Sequence, residues 1–203
     1  MKRRVFLAAC AASLSVAAAP ARADRVSLSA LSRYFNGFST AASDFTQVNA
    51  DGTISTGQLF IHRPGRARFE YKPPDESLVI AGGGQVAVFD GKSNTGPEQF
   101  PLVRTPLNLI LARQVDLSRN GMVVAHQFDG TTTNVIAQDP DHPEYGNIRL
   151  VFSDDPVELR QWVITDEGGQ QTTVILGKLQ KGAAVNARMF SIVQEARERG
   201  LTE

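Results

Sequence analysis

Three histidines, His62, His126 and His142, and one cysteine, Cys10, supply most of what this chain offers for metal or thiol chemistry. They are scattered: no His-Glu-x-x-His or cysteine pair sets two ligands on one element, and a lone thiol cannot close an internal disulfide. A metal site is therefore not expected. No Gly-x-Ser-x-Gly turn presents a serine, and no histidine lies beside a plausible nucleophile. Gly91-Lys92-Ser93 has the ending of a phosphate-binding loop, but the position that needs its first glycine is Val86 and no helix follows, so a hairpin turn accounts for it better. Asp154-Asp155 offers two carboxylates, yet Pro156 follows at once and Asp-Asp-Pro is ordinary turn chemistry. These residues predict neither catalysis nor a cofactor.

What remains is a basic group and a long apolar alternation. Arg63, Arg66, Arg68 and Lys72 suit phospholipid headgroups or a partner's acidic patch, or equally a solvated strand face. The whole chain of 203 residues has 21 basic and 21 acidic side chains, which gives no electrostatic footprint for nucleic acid.

The first 23 residues are expected to be a cleaved signal peptide. Lys2-Arg3-Arg4 forms a basic start, Val5 to Ala19 an apolar stretch, and Ala21-Arg22-Ala23 a cleavage signal. The stretch falls short of the ~20 residues of a membrane-spanning helix. Leu7-Ala8-Ala9-Cys10 spells a lipobox, but it would leave only Val5 to Ala9 as apolar core, so acylation of Cys10 is not expected. Arg3-Arg4-Val5-Phe6-Leu7 resembles a twin-arginine signal, and the Sec and twin-arginine routes are both open. Cleavage would leave 180 residues with 17 basic and 21 acidic side chains and no cysteine. Sixteen of the 23 leader residues are apolar, so the apolar fraction falls from 42% in the whole chain to about 38% in the mature chain. That modest fraction is compatible with a thin shell around a hollow.

Residues 24–203 read as one domain. Leu28, Leu31, Phe35 and Phe38 share one helix face, with Ser27 as cap. From Ser43 to about Phe100 the period falls to two, with turns at Asp51-Gly52, Pro64-Gly65, Pro73-Pro74, Gly82-Gly83-Gly84 and Asp90-Gly91. Leu59, Ile61 and Arg63 fall on one strand face, and Ala67, Phe69 and Tyr71 on one face of the next. Thr105-Pro106 reads as a helix start, with Thr105 as cap and Pro106 at the first helical position, and with Leu107, Ile110 and Leu111 on one side of a short helix suited to a plug or lid. Strands resume over 123–128, 133–137, 148–153, 159–164 and 172–178. The predicted class is α+β, mostly antiparallel β.

The order Asp44-Phe45-Thr46-Gln47, Thr56 to Gly65, Phe69-Glu70-Tyr71 and Pro74-Asp75-Glu76-Ser77-Leu78-Val79 resembles the periplasmic outer-membrane lipoprotein carrier family, LolA. Thr105-Pro106-Leu107, Leu109 to Arg113, Leu159, Trp162, Asp166, Gly168 and Thr172-Thr173-Val174 continue the similarity. The resemblance implies an incomplete β-barrel, a half-barrel with a helical lid over an apolar cavity. It implies a monomeric periplasmic carrier that takes acylated lipoproteins from an inner-membrane lipoprotein-releasing ABC transporter to the outer membrane, through a receptor lipoprotein or directly. Acyl-chain contacts are then expected from Phe45, Leu59, Ile61, Phe69, Tyr71, Phe89, Leu107, Ile110, Leu111 and Trp162. The Arg-Pro motif puts Arg63 where the family's arginine bonds lid-helix backbone and latches the empty cavity. Position 67 is often bulky in the family but is Ala67 here, and Ala87 is also small, so the hollow is expected to differ in size or shape. The charged tail from Ser191 lacks a Pro-rich strand ending. A periplasmic lipid- or lipoprotein-sensing domain of similar half-barrel shape is the alternative.

Overall fold

Strands with alternating apolar residues pair with their nearest neighbours in the chain, and that pairing generates almost the whole architecture. The computed structural model describes residues 25–93 and 95–201; the expected leader lies outside them. After helix α1 (Leu28–Asn36), six strands run as a meander: β1 (Thr40–Val48), β2 (Ile54–His62), β3 (Ala67–Tyr71), β4 (Leu78–Gly82), β5 (Gln85–Phe89) and β6 (Glu98–Pro101). A short helix, α2 (Leu107–Leu111), interrupts them. A second meander follows, β7 (Val123–Phe128), β8 (Thr132–Gln138), β9 (Asn147–Ser153), β10 (Glu158–Thr165) and β11 (Gln171–Leu176). β11 pairs with β1, so the two meanders join into one antiparallel sheet ordered β6-β5-β4-β3-β2-β1-β11-β10-β9-β8-β7. The two-residue β12 (Gln180–Lys181) adds to the start of β1.

The sheet is open, because its edges β6 and β7 do not pair with each other. It is also strongly curled. Phe69 on β3 and Trp162 on β10 stand four strand steps apart, roughly 19 Å in a flat sheet, yet their ring centroids are 6.3 Å apart. One core cluster therefore contains Phe69, Phe152, Trp162 and Val174 from the sheet with Leu31, Phe35 and Ile110 from the helices laid across the hollow. The expected half-barrel with a helical cover is the observed fold.

Gly57 leaves the room in which β3 and the Phe45 ring approach β2. A side chain there would collide with the backbone of Glu70 and come within 2.7 Å of the Phe45 ring. Without one, Phe45 lies flat over β2 and meets Phe69 and Tyr71 edge-on, at 5.6 and 5.2 Å.

The convex face of β3–β5 is covered by a third helix, α3 (Ile192–Glu198). It packs Ala196 against Leu78, Ile80, Ala87 and Phe89. Its polar tie is Arg68, whose Nε donates to Glu70 (2.6 Å) and whose Nη1 donates to Glu195 (2.8 Å) and to the Met189 carbonyl (2.9 Å). Burial works to raise the Glu195 carboxyl, but hydrogen bonds from Arg199 and Arg68 outweigh it and hold the group below its ordinary 4.5. A depressed carboxylate stabilises the folded form above the ordinary value and loses that contribution as pH falls through the lowered one. Protection of the amides over residues 192–201 against exchange is thus expected to fall below pH 4.5 while β8 and β9 stay protected. Glu195→Gln should give the same release at neutral pH, and equal protection at pH 6 and pH 3 would exclude this tie.

Candidate functional site

Two helices close the hollow, and each is anchored at both ends. The predicted Ser27 cap of α1 is present, its Oγ accepting from Ala30 N at 3.3 Å. Just ahead of it, Val26 N donates to Thr133 Oγ1 at 2.9 Å, which fixes the start of the helix over β8. Tyr34 accepts from Leu159 N through its hydroxyl (3.1 Å) and stands edge-on to Phe152. For α2 the local chemistry differs from expectation. Thr105 Oγ1 turns back to donate to the Leu102 carbonyl at 2.8 Å, because a 3-10 turn over Leu102–Arg104 precedes the helix and offers that acceptor.

Arg63 joins the far ends of both helices. Its side chain leaves β2 on the concave side, and the residue is 6% exposed. Nη1 donates to the Phe35 carbonyl and, at 3.4 Å, to that of Phe38. Nε and Nη2 donate to the Ala112 carbonyl at 3.1 and 2.7 Å, and Nη2 also reaches Asn36 Oδ1 at 3.2 Å and the Arg113 carbonyl at 3.4 Å. Gly65 N adds a bond to the Leu111 carbonyl at 2.8 Å. These are the carbonyls that a helix end leaves without internal donors, and its dipole favours a cation there. Burial lowers the Arg63 pKa, but arginine stays charged in any case. No acidic side chain within salt-bridge distance of Arg63 occurs among the described residues, so its compensation comes from backbone carbonyls and the Asn36 side-chain oxygen.

Two residues that the sequence did not single out complete the joint. Asn36 exchanges hydrogen bonds with the Val115 backbone, Nδ2 to O at 2.8 Å and N to Oδ1 at 2.9 Å. Ser32 Oγ accepts from Leu117 N at 3.0 Å. Their partners lie some 80 residues away in sequence, so no local spacing signals them.

Between the sheet and the start of α2 lies a cavity of about 490 Å³. Phe69, Tyr71, Leu107 and Trp162, four of the residues proposed from the sequence as acyl-chain contacts, line it together with Val79, Val86, Phe100, Ile164 and Val174. The volume is within the ~300–1,000 Å³ typical of ligand sites. Tyr71 puts a polar tip at the wall, its hydroxyl donating to Gln47 Oε1 at 2.7 Å. Burial pushes that phenol up to about 12, against the Gln47 contact, so it stays neutral. At the mouth, Arg104 reaches Glu167 at 3.6 Å and lies 5.5 Å from the Tyr145 ring centroid. Both charged groups are well exposed, so this strap holds little, about 0–1 kcal/mol.

The other expected contact residues are elsewhere. Phe45 backs the Phe69 and Tyr71 rings from behind. Leu59 and Ile61 on β2 and Ile110 and Leu111 on α2 are packed together in the core and do not line the open cavity. Ile61 and Ile110 instead border a nearly closed space of about 10 Å³ under Arg63. Phe89 is on the opposite face of the sheet, in the cluster under α3, and departs from the expected set. Register explains it: Phe89 pairs with Leu78 and Ala87 with Ile80, whereas Val86 pairs with Ala81 on the cavity side. Ala87 therefore does not enlarge the hollow, while Ala67 lies on the concave face beside Ile61 and Ala81. The four basic residues also part company. Arg68 ties α3, Lys72 reaches Asp44 at 3.5 Å, and Arg66 Nε donates to the His62 carbonyl, so with Arg63 buried no common basic face forms.

A family model described as outer membrane lipoprotein carrier protein LolA matches residues 36–193. The outer-membrane lipoprotein carrier protein of Azotobacter vinelandii is 23% identical over 195 residues, covering 92% of this chain and 93% of that one. The protein of the same description from Pseudomonas aeruginosa is 25% identical over 198 residues, covering 93% and 92%. Among solved structures, a LolA superfamily protein from Nitrosomonas europaea aligns with a TM-score of 0.40 and 10% identity, covering 82% of this chain and 98% of that one.

Proposed function

The chain belongs to the outer-membrane lipoprotein carrier family, LolA, and from that premise we propose that it ferries acylated lipoproteins across the periplasm and catalyses no reaction. Cargo arrives from an inner-membrane lipoprotein-releasing ABC transporter and leaves for the outer membrane, through a receptor lipoprotein or directly. Residues 1–23 serve as the export leader and residues 24–203 as the carrier domain.

One observation carries this reading: an apolar cavity beneath two helices whose far ends meet on a single buried arginine. Each methylene taken out of water is worth ~0.8 kcal/mol, so a carrier must offer apolar wall to hold its cargo and an opposing term to let it go. Phe69, Leu107 and Trp162 provide wall. The bonds from Arg63 to the ends of α1 and α2 provide the opposing term, since they are complete only when the helices lie down. Arg63 is accordingly the latch.

The test is depletion of the protein in its own bacterium, followed by separation of the two membranes. Outer-membrane lipoproteins are expected to accumulate in the inner membrane. Normal sorting accompanied only by a stress response would reject the carrier reading in favour of a sensor.

A further inference from the structure

Among the described residues, the Trp162 indole N–H has no hydrogen-bond partner. The residue is 1% exposed, and its Nε1, which can donate but not accept, has no partner among the described residues and is out of reach of solvent. Buried tryptophan normally brings its N–H to an acceptor, because an unpaired donor in an apolar interior is unfavourable. Phenylalanine would fill a purely structural place without that conflict.

The surroundings indicate when an acceptor could arrive. On β10, Trp162 pairs with Leu150 on one side and Val174 on the other, and its ring stands edge-on to Phe69. The side chain forms part of the wall of the open cavity and part of the wall of the nearly closed space under Arg63. It is thus the partition between the volume already open and the volume that α1 and α2 cover. A solute filling both would pass directly against it once the helices lift. An acyl chain is attached through a carbonyl, and that oxygen is the strong acceptor nearest its hydrocarbon.

We propose that Trp162 Nε1 donates to the carbonyl oxygen of a bound acyl chain, making the carrier selective for acyl esters and amides over hydrocarbon of equal size. This rests on the carrier reading above and deepens it. The indole reads where the chain joins its head, and so sets how deep the cargo sits.

The chain has one tryptophan, so protein labelled with nitrogen-15 at the indole gives a single indole resonance. The purified protein is titrated with two probes, S-[2,3-bis(palmitoyloxy)propyl]cysteine and its dihexadecyl ether counterpart, which lacks the carbonyls. Both are expected to bind, the diester about tenfold tighter, equivalent to ~1.4 kcal/mol. Only the diester should move the indole proton downfield, and in Trp162→Phe the affinity ratio should fall to about one. Equal affinities with equal indole shifts in the native protein would overturn the proposal and leave the carrier reading standing. So would a diester preference that survives in Trp162→Phe. Binding of neither probe would overturn both.

Discussion

Replacing Arg63 by leucine is expected to tighten cargo binding about a hundred-fold and to stall its release, with the sheet intact. The guanidinium donates to the carbonyls of Phe35, Phe38, Ala112 and Arg113, and to Asn36. Leucine fills part of the space but gives those carbonyls no donor, while Asn36 Oδ1 keeps its bond from Val115 N. If three of them lose ~1 kcal/mol each, the closed arrangement is destabilised by ~3 kcal/mol. Lifting the helices restores the carbonyls to water, so the loss falls on lid closure and not on the strands, whose ladders do not involve Arg63. Lid closure competes with cargo, and removing ~3 kcal/mol of that competition strengthens binding by about two orders of magnitude.

Release then slows, because the bonds that re-form as cargo leaves are missing. Hydrogen exchange should show early loss of protection at Gly65, Val115 and Leu117, whose amides bond across the same joint. Transfer of a labelled lipoprotein to acceptor membranes should drop at least tenfold. Arg63→Lys should rescue little, since one ammonium cannot fork to two helix ends. Transfer at the native rate in the leucine variant would show that Arg63 is no latch.

How far such a joint can be read without a structure depends on which side chains announce their own surroundings. Arg63 does: a charge in the alternating apolar row of Leu59 and Ile61 has to be compensated, and the structure buries it beside the same small space that Ile61 borders. Strands with one buried face are equally plain. β8 alternates along its whole length, with Thr133, Val135 and Ala137 inward, and the period-two pattern places it to within a residue at either end. β4 and β5 are legible as a hairpin, since Gly83 and Gly84 both take positive φ at its turn.

Yet those strands are apolar on both faces, so alternation cannot tell which face sees the cavity, and Phe89 was expected on the wrong side. What decides it is α3, and α3 is itself hard to read: seven residues with one buried alanine, held by Arg68 on a strand more than a hundred positions earlier. The hollow has the same character. Leu59 and Ile110 look in sequence like Phe69 and Leu107, but whether a residue meets open space or another side chain depends on how far β3 and β10 curl toward each other. That distance is a sum over the intervening strands, to which the close approach at Gly57 contributes without any side chain.

Filling the hollow should separate a cavity from a core, and Val79→Trp is the variant that does it. Val79 on β4 lies beside Phe69 in register and lines the cavity of about 490 Å³, which has room for an indole. In open space the larger ring buries new apolar surface without displacing its neighbours. A gain of ~1 kcal/mol would raise Tm by roughly 2–4 °C in a chain of this size. The same ring occupies volume that cargo needs. A bound acyl chain pushed out by about four methylenes loses ~3 kcal/mol at ~0.8 kcal/mol each, so affinity for the diester probe should fall at least a hundred-fold. Val193→Trp, on the exposed side of α3, is the control, with both quantities expected to stay unchanged. Were the space a packed interior, Val79→Trp would overfill it and destabilise the fold by ~1–3 kcal/mol. The sign of the stability change thus reports whether the shell is hollow, and the fall in affinity reports whether the hollow is where the acyl chain goes. A stable variant that binds the probe as the native protein does would place the cargo elsewhere.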